Sequence, residues 1–150
     1  MDSLVINPVD ARKVDALVLL FEAQLREHEI KTSHEDLRVA IRTAIDHQRY
    51  GFILAASAPD GSLVGAAYAS SLLSLEHGGV SGWLEELYVL PEWRGQGIGS
   101  QLLAAVIARA RNLGWRALDL EVDATHQRAI SLYVRHAFQP HSRTRFYRIL

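Results

Sequence analysis

Residues 83–100 read WLEELYVLPEWRGQGIGS: Trp83 to Val89 is strand-like, Pro91 leads a turn, and Gly95, Gly97 and Gly99 alternate ahead of an apolar run. Residues without a Cβ let the main chain turn tightly and come into contact with a ligand, and the start of a helix leaves several N–H groups without partners. A strand that enters Arg94-Gly95-Gln96-Gly97-Ile98-Gly99 and continues as a helix to about Asn112 is therefore suited to hold a phosphate or diphosphate at the helix N-terminus, with Arg94 adding charge. The spacing excludes two other loops. No lysine follows the glycines, as G-x-x-x-x-G-K-[ST] requires, and the dinucleotide pattern G-x-G-x-x-G fails at Ser100. A glycine-rich turn that only packs helix on strand is the competing reading of the glycines taken alone.

On either side of this stretch, helical and strand periods alternate. Ser3 to Asn7 reads as a short strand. Asp10 can cap a helix from Ala11 to about His28, whose apolar positions Val14, Leu17, Val18, Phe21 and Leu25 fall on one stripe. Ser33 and Asp36 open a second helix through Leu37, Ile41, Ala44 and Ile45. Phe52 to Ala56 and Leu63 to Ser70 are strands joined by the turn Pro59-Asp60-Gly61. A looser stretch, Ser74 to Gly79, precedes the strand Trp83 to Val89. Beyond the glycine helix, ended by Gly114, come a strand from Ala117 to Val122 and a helix from Thr125 to His136. Phe138 with Phe146 to Ile149 then reads as a closing hairpin. The order predicts an α/β (α+β) fold in one domain over residues 1–150.

Composition narrows the function. A chain of 150 residues can bury roughly 68–70% of its unfolded surface and needs no staple, and with no cysteine it has neither disulfides nor thiolate metal sites. The start, MDSLVINPVDARK, lacks the apolar core of a signal peptide, so a cytoplasmic protein is expected. The apolar clusters Leu17 to Phe21 and Gly51 to Ala56 are core-sized, which argues against a membrane partner. Sixteen basic and seventeen acidic side chains leave a formal charge of −1 with no basic block, which argues against nucleic acid. His28, His34, His47, His77, His136 and His141 show no metal-ligand spacing, so no metal is expected.

The stretch Trp83 to Gly99 resembles the central motif of the GNAT N-acetyltransferase superfamily, a strand carrying an acid followed by R/Q-x-x-G-x-G/A, which Arg94, Gly97 and Gly99 match. Downstream, His126-Gln127-Arg128-Ala129-Ile130-Ser131-Leu132-Tyr133 followed by Ala137-Phe138 resembles the family's N-x-x-A-x-x-L-Y and G-F, departing from it at His126 and Ala137. The two motifs cover the last 70 or so residues, and L-E-[DE]-L-Y-V is most similar to the diamine and small-amine acetyltransferase branch. The resemblance implies the GNAT fold, with a mixed central sheet of six to seven strands flanked by about four helices. It also implies acetyl-CoA as cosubstrate. The diphosphate would lie on the loop Arg94, Gly95, Gln96, Gly97, Ile98, Gly99 and Ser100. The pantetheine would lie along Leu87, Tyr88 and Val89, with His126, Arg128 and Ala129 completing the cofactor site.

Acetyl transfer to an amine sets chemical requirements. An alkylamine with a pKa near 10 is ammonium at neutral pH and must lose a proton before it attacks a thioester. The departing CoA thiolate needs a proton donor. The resemblance places Tyr133 as that acid. Strand alternation puts Trp83, Glu85, Leu87 and Val89 on one face and Leu84, Glu86 and Tyr88 on the other, so only one glutamate is expected to face the cleft; Glu85 is assigned as base by the resemblance, and a β-bulge could reverse the faces. Glu22, Glu27, Glu29 and Glu35 lie where the family borders its acceptor pocket and would favour a cationic amine; a solvated helix face is the alternative. A homodimer is expected by analogy alone. The expected function is therefore acetylation of a small primary amine, the alternatives being a protein or peptide amine, or a non-catalytic acyl-CoA sensor.

Overall fold

The computed structural model describes residues 4–150, so the start of the expected first strand, at Ser3, lies outside the described residues. Five strands, β1 (Val5–Pro8), β2 (Phe52–Ser57), β3 (Leu63–Ser74), β4 (Gly79–Val89) and β5 (Leu118–Asp119), form one sheet in the order 1-2-3-4-5. All neighbours are antiparallel except β4 and β5. The turn at Pro59-Asp60-Gly61 joins β2 to β3 as the sequence indicates, with Asp60 Oδ1 accepting from the Ser62 N–H at 2.9 Å. The looser stretch Ser74 to Gly79 proves to be the connection between two strands that are longer than the sequence indicated. β3 and β4 extend to Ser74 and from Gly79, joined by a tight turn in which Gly78 has φ +68°.

The helices are α1 (Val14–Glu27), α2 (His34–Asp46), α3 (Ile98–Asn112) and α4 (Gln127–Arg135). Asp10 caps a single 3-10 turn, Ala11–Lys13, ahead of α1, accepting from Arg12 N–H at 2.8 Å. At α2 the Ser33 hydroxyl accepts from Asp36 N–H and donates to the Asp36 carboxylate, a reciprocal cap. α1 and α2 pack Leu17, Val18, Phe21 and Ile41 against Ile53, Ala55, Ala66 and Tyr88 on one face of the sheet. On the other face α3 packs Ile98, Leu102, Leu103 and Val106 against Phe52, Leu54, Ala67 and Leu84, with Leu132 and Tyr133 of α4 at the margin of the same cluster. Among the described residues, no helix is long and apolar enough to cross a membrane.

Helices α1, α3 and α4 share one C-terminal device. Each is followed by a residue with positive φ, namely Glu29 (+57°), Gly114 (+74°) and Ala137 (+65°). The next residue's N–H returns to a carbonyl five positions back: Ile30 to Leu25 (2.9 Å), Trp115 to Ala110 (3.0 Å) and Phe138 to Tyr133 (3.0 Å). This is the Schellman arrangement, which satisfies carbonyls that a helix end leaves free.

Five strands replace the six to seven expected. Phe138 is drawn into the α4 terminal turn, its ring 5.8 Å from that of Tyr133, and so cannot start a strand. Residues 139–150 have no regular secondary structure, and Phe146, Tyr147 and Ile149 are exposed. Ion pairs of Arg143 with Glu76 and of Arg145 with Glu121, each 2.7 Å, hold that segment along the protein's surface instead.

Candidate active site

The glycine loop has the backbone its sequence demands. Gly95 and Gly97 adopt φ of +79° and +80°, a left-handed conformation that residues with a Cβ rarely take, and a Cβ on Gly97 would meet only open space. Gly97 is the N-cap of α3, and the first backbone bond of the helix runs from Gln101 N–H to Gly97 O at 3.0 Å. The N–H groups of Ile98, Gly99 and Ser100 are thereby left free for an anion, while the Ile98 side chain is buried in the core.

Arg94 does not point into this loop. Its Nη2 donates to both carboxylate oxygens of Glu27 at 3.0 Å, its Nε donates to Val89 O at 2.8 Å, and its guanidinium stands 5.3 Å from the centre of the Tyr88 ring. The Tyr88 hydroxyl donates to the same Glu27 at 2.8 Å. Burial raises the Glu27 pKa, but these hydrogen bonds and the Arg94 charge outweigh it and hold the carboxyl below its ordinary range. Arg94 therefore braces the end of β4 against α1. Among the acidic residues near the first helix, Glu27 is committed to this node and Glu22 to His34 at 2.7 Å.

Arg128 supplies a cation at the loop: its Nη2 lies 3.4 Å from where a Cβ on Gly95 would stand. Leu132 Cδ2 lies 3.8 Å from the corresponding position on Gly99, and Ser100 Oγ and His136 Nε2 are 2.7 Å apart. His126 is the exposed N-cap of α4 and makes no side-chain cap, and Ala129 lies half-buried one turn into the helix. The turn before α4 is instead fixed by Asp123, which accepts from the N–H and hydroxyl of Thr125.

Strands β4 and β5 pair only at Gly82 and Trp83, so from Leu84 onward the β5 side of β4 has no strand partner. Leu87, Tyr88 and Val89 thus lead, with no strand paired on that side, into the turn before the glycine loop. The backbone edge of β4 can pair with an extended amide-bearing chain, and the loop can take the chain's diphosphate.

At Glu85 the strand departs from alternation. Tyr68 pairs with Glu86 and Ala69 with Leu84, leaving Glu85 as an extra residue in a β-bulge. The parity shifts there: Leu84, Leu87 and Val89 all pack on the α3 side, whereas Tyr68 and Tyr88 pack on the α1/α2 side. Glu86, opposite Tyr68, shares the α1/α2 face, and Glu85 lies near enough to act on Tyr68 and Glu86 and to be acted on by Arg145. The bulge breaks the strict alternation expected of this strand and leaves the two carboxylates within electrostatic reach of each other. A sequence holds no signal for such a bulge, because it is defined by the partner strand.

Burial, reinforced by the Glu85 charge, pushes the Glu86 carboxyl up to about 7. Burial also raises Glu85, against the opposing charge of Arg145. Tyr68, whose hydroxyl donates to Tyr50 O at 2.7 Å, is pushed up to about 12 by burial and by Glu85. Tyr133 is raised by burial and by Glu86, which keeps its O–H protonated. Sequence reasoning missed Tyr68 and His136, which gain meaning only from their partners across the fold. A separate cavity of about 390 Å³, lined by Arg49, Phe52, Leu72, Arg109 and Trp115 among others, touches none of these groups and contains no carboxylate.

The sheet's one parallel pair is confined to two positions, and the same side of the fold carries the glycine-bearing N-terminus of α3 and Tyr133, which lies within electrostatic reach of Glu86. Residues 17–138 match the model of the acetyltransferase (GNAT) family, and the chain belongs to that family. It is 38% identical over 87 residues to an aminoglycoside N(6')-acetyltransferase type 1 of Stenotrophomonas maltophilia, covering 51% of this chain and 57% of that protein. It is 35% identical over 80 residues to an aminoalkylphosphonate N-acetyltransferase of Salmonella typhimurium, covering 53% and 52%. The chain thus spans little more than half the length of these curated relatives. An integron cassette protein from the mobile metagenome of Cole Harbour Salt Marsh has a similar structure, with a TM-score of 0.86 and 25% identity over 97% of this chain and 90% of that one.

Proposed function

We propose that this protein, a single acetyltransferase domain, transfers the acetyl group of acetyl-CoA to a small primary amine. The observation that carries the reading is the continuity of the open β4 edge with the left-handed glycine loop, which fits pantetheine and diphosphate along one line. Relatives named for aminoglycoside and aminoalkylphosphonate acetylation support a small amine as acceptor. The paired carboxylates favour one that is cationic.

In this mechanism Glu85 takes the proton of the substrate ammonium, directly or through water. The freed amine nitrogen forms the C–N bond at the acetyl carbon as the C–S bond breaks, Tyr133 passes its phenolic proton to the departing thiolate, and the second proton shed by the new amide nitrogen returns, directly or through water, to the Tyr133 phenolate. A second reading is favoured by Glu86, which has a pKa near neutrality, where a general base is most effective, and which acts on Tyr133. In that reading Glu86 is the acceptor and Glu85 holds the cation. We also propose a homodimer, supported by the exposed apolar side chains of residues 146–149.

The test is acetyl-CoA turnover against a panel of polyamines, aminoglycosides, aminophosphonates and peptides with free amines, alongside calorimetry of acetyl-CoA binding. Turnover with small amines supports the reading. Turnover with peptides alone moves the acceptor class, and tight acetyl-CoA binding without turnover on any amine leaves a sensor. Gly97→Val fills the cradle and strains a left-handed backbone, so the folded variant should lose acetyl-CoA binding; undiminished affinity would remove the diphosphate from this loop.

A further inference from the structure

Arg128, Leu132 and His136 recur every fourth residue along α4 and its C-cap, and each meets the glycine loop or the first turn of α3. Of these contacts only the last is a side-chain hydrogen bond, 2.7 Å between Ser100 Oγ and His136 Nε2, in a half-buried position. α4 is otherwise held by Leu132 and Tyr133 at the margin of the α3-side core. It is nine residues long, none of them fully buried, and a helix that short is not stable by itself. Tyr133 sits in the same terminal turn: its carbonyl accepts from the N–H groups of His136 and Phe138, both at 3.0 Å, and its ring packs on Phe138. A displacement of His136 is therefore passed to Tyr133 through two backbone hydrogen bonds and one aromatic contact.

We propose that the Ser100–His136 hydrogen bond fixes Tyr133 relative to the diphosphate cradle, which makes His136 a positioning residue for the proposed acid. Its catalytic meaning rests on the acetyl-transfer reading above; its structural meaning does not. Ser100 is in the first turn of the helix that would bind the diphosphate, so one hydrogen bond ties the cofactor end of the site to the proton donor.

The experiment follows the five tyrosine rings by ¹³C labelling, with the Tyr133 signal identified by its loss in Tyr133→Phe. His136→Leu keeps the packing and removes the hydrogen bond. It should shift the Tyr133 signal, leave those of Tyr50, Tyr68, Tyr88 and Tyr147 in place, and lower kcat about tenfold, well within the roughly hundredfold that a misplacement of 1 Å can cost. Acetyl-CoA affinity should stay close to the parent's. His136→Gln offers an amide N–H at similar reach and should restore both readouts. Ser100→Ala should reproduce the loss, and the double variant His136→Leu with Ser100→Ala should be no worse than either single one. A melting temperature that falls while the Tyr133 signal and kcat stay put overturns the proposal, as does additivity in the double variant. If the parent acetylates no amine, the functional reading fails, and the Tyr133 signal still decides whether the hydrogen bond positions that ring.

Discussion

Glu85 and Glu86 carry the same functional group one residue apart, and they are unequally buried, Glu85 being the extra residue of the bulge. Glu86 is the more deeply set, and its carboxyl keeps a proton in the folded chain up to about pH 7, whereas the unfolded chain releases it near 4.5. Over that window the folded state binds the extra proton, so stability falls as pH rises through it. The loss is at most about 3 kcal/mol. Glu86→Gln cannot ionise and should lose this dependence. By urea unfolding it should match the parent near pH 4 and exceed it at pH 8 by about 1–3 kcal/mol; equal pH slopes for the two would return Glu86 to an ordinary solvated carboxyl. The same pair of variants separates the two catalytic assignments. If Glu85 takes the amine proton, Glu85→Gln should lower kcat/KM at neutral pH and recover in part at alkaline pH, where more substrate arrives already neutral. The opposite pattern, with rescue in Glu86→Gln alone, transfers the role to Glu86, and no rescue in either removes proton acceptance from this strand.

At the scale of elements, the three Schellman turns show what a sequence reveals and what it conceals. Gly114 announced the end of α3, since glycine takes φ +74° without cost. The ends of α1 and α4 place Glu29 and Ala137 in the same conformation, which costs an L-residue roughly 1–2 kcal/mol, part of which glycine returns through its freer unfolded chain. Ala137→Gly and Glu29→Gly should each raise stability by about 0.5–1 kcal/mol, read as a higher urea midpoint at unchanged slope. A lowered midpoint would mean that the side chain contributes contacts that outweigh the backbone strain. The departure from G-F at Ala137 was visible in the sequence, but its reason was not: Phe138 must fold back on Tyr133, and residue 137 supplies the left-handed bend that allows it. The strand, glycine loop and helix of residues 83–112 were legible because propensity, capping and spacing agree along one continuous stretch. The bulge at Glu85 and the Arg94–Glu27 brace were not, because each depends on residues distant in sequence.

Across the whole molecule, the order of elements was readable from β1 to α4, and the reading failed where the chain stops contributing to its own sheet. Residues 146–149 carry three strand-favouring side chains, Phe146, Tyr147 and Ile149, yet these are 83–88% exposed. The segment is nonetheless anchored: Arg145 lies 4.3 Å over the Trp83 ring and pairs with Glu121, and Arg143 pairs with Glu76 beside the exposed Leu75. Polar anchors thus hold an apolar strip in water, and leucines are exposed at the β3–β4 turn as well, an arrangement that monomers rarely keep and that a partner surface would cover. The proposed homodimer accounts for it, because in a two-fold pair the strip of each copy and the surface that receives it are both present twice. Sedimentation equilibrium should therefore give twice the chain mass at micromolar concentration. Phe146→Asp combined with Ile149→Asp should shift the species to the chain mass while leaving the far-ultraviolet spectrum of the fold intact, since neither side chain belongs to either core cluster. A parent that sediments as a monomer across the whole concentration range would refute the homodimer. A double variant that remains dimeric would move the interface away from this strip.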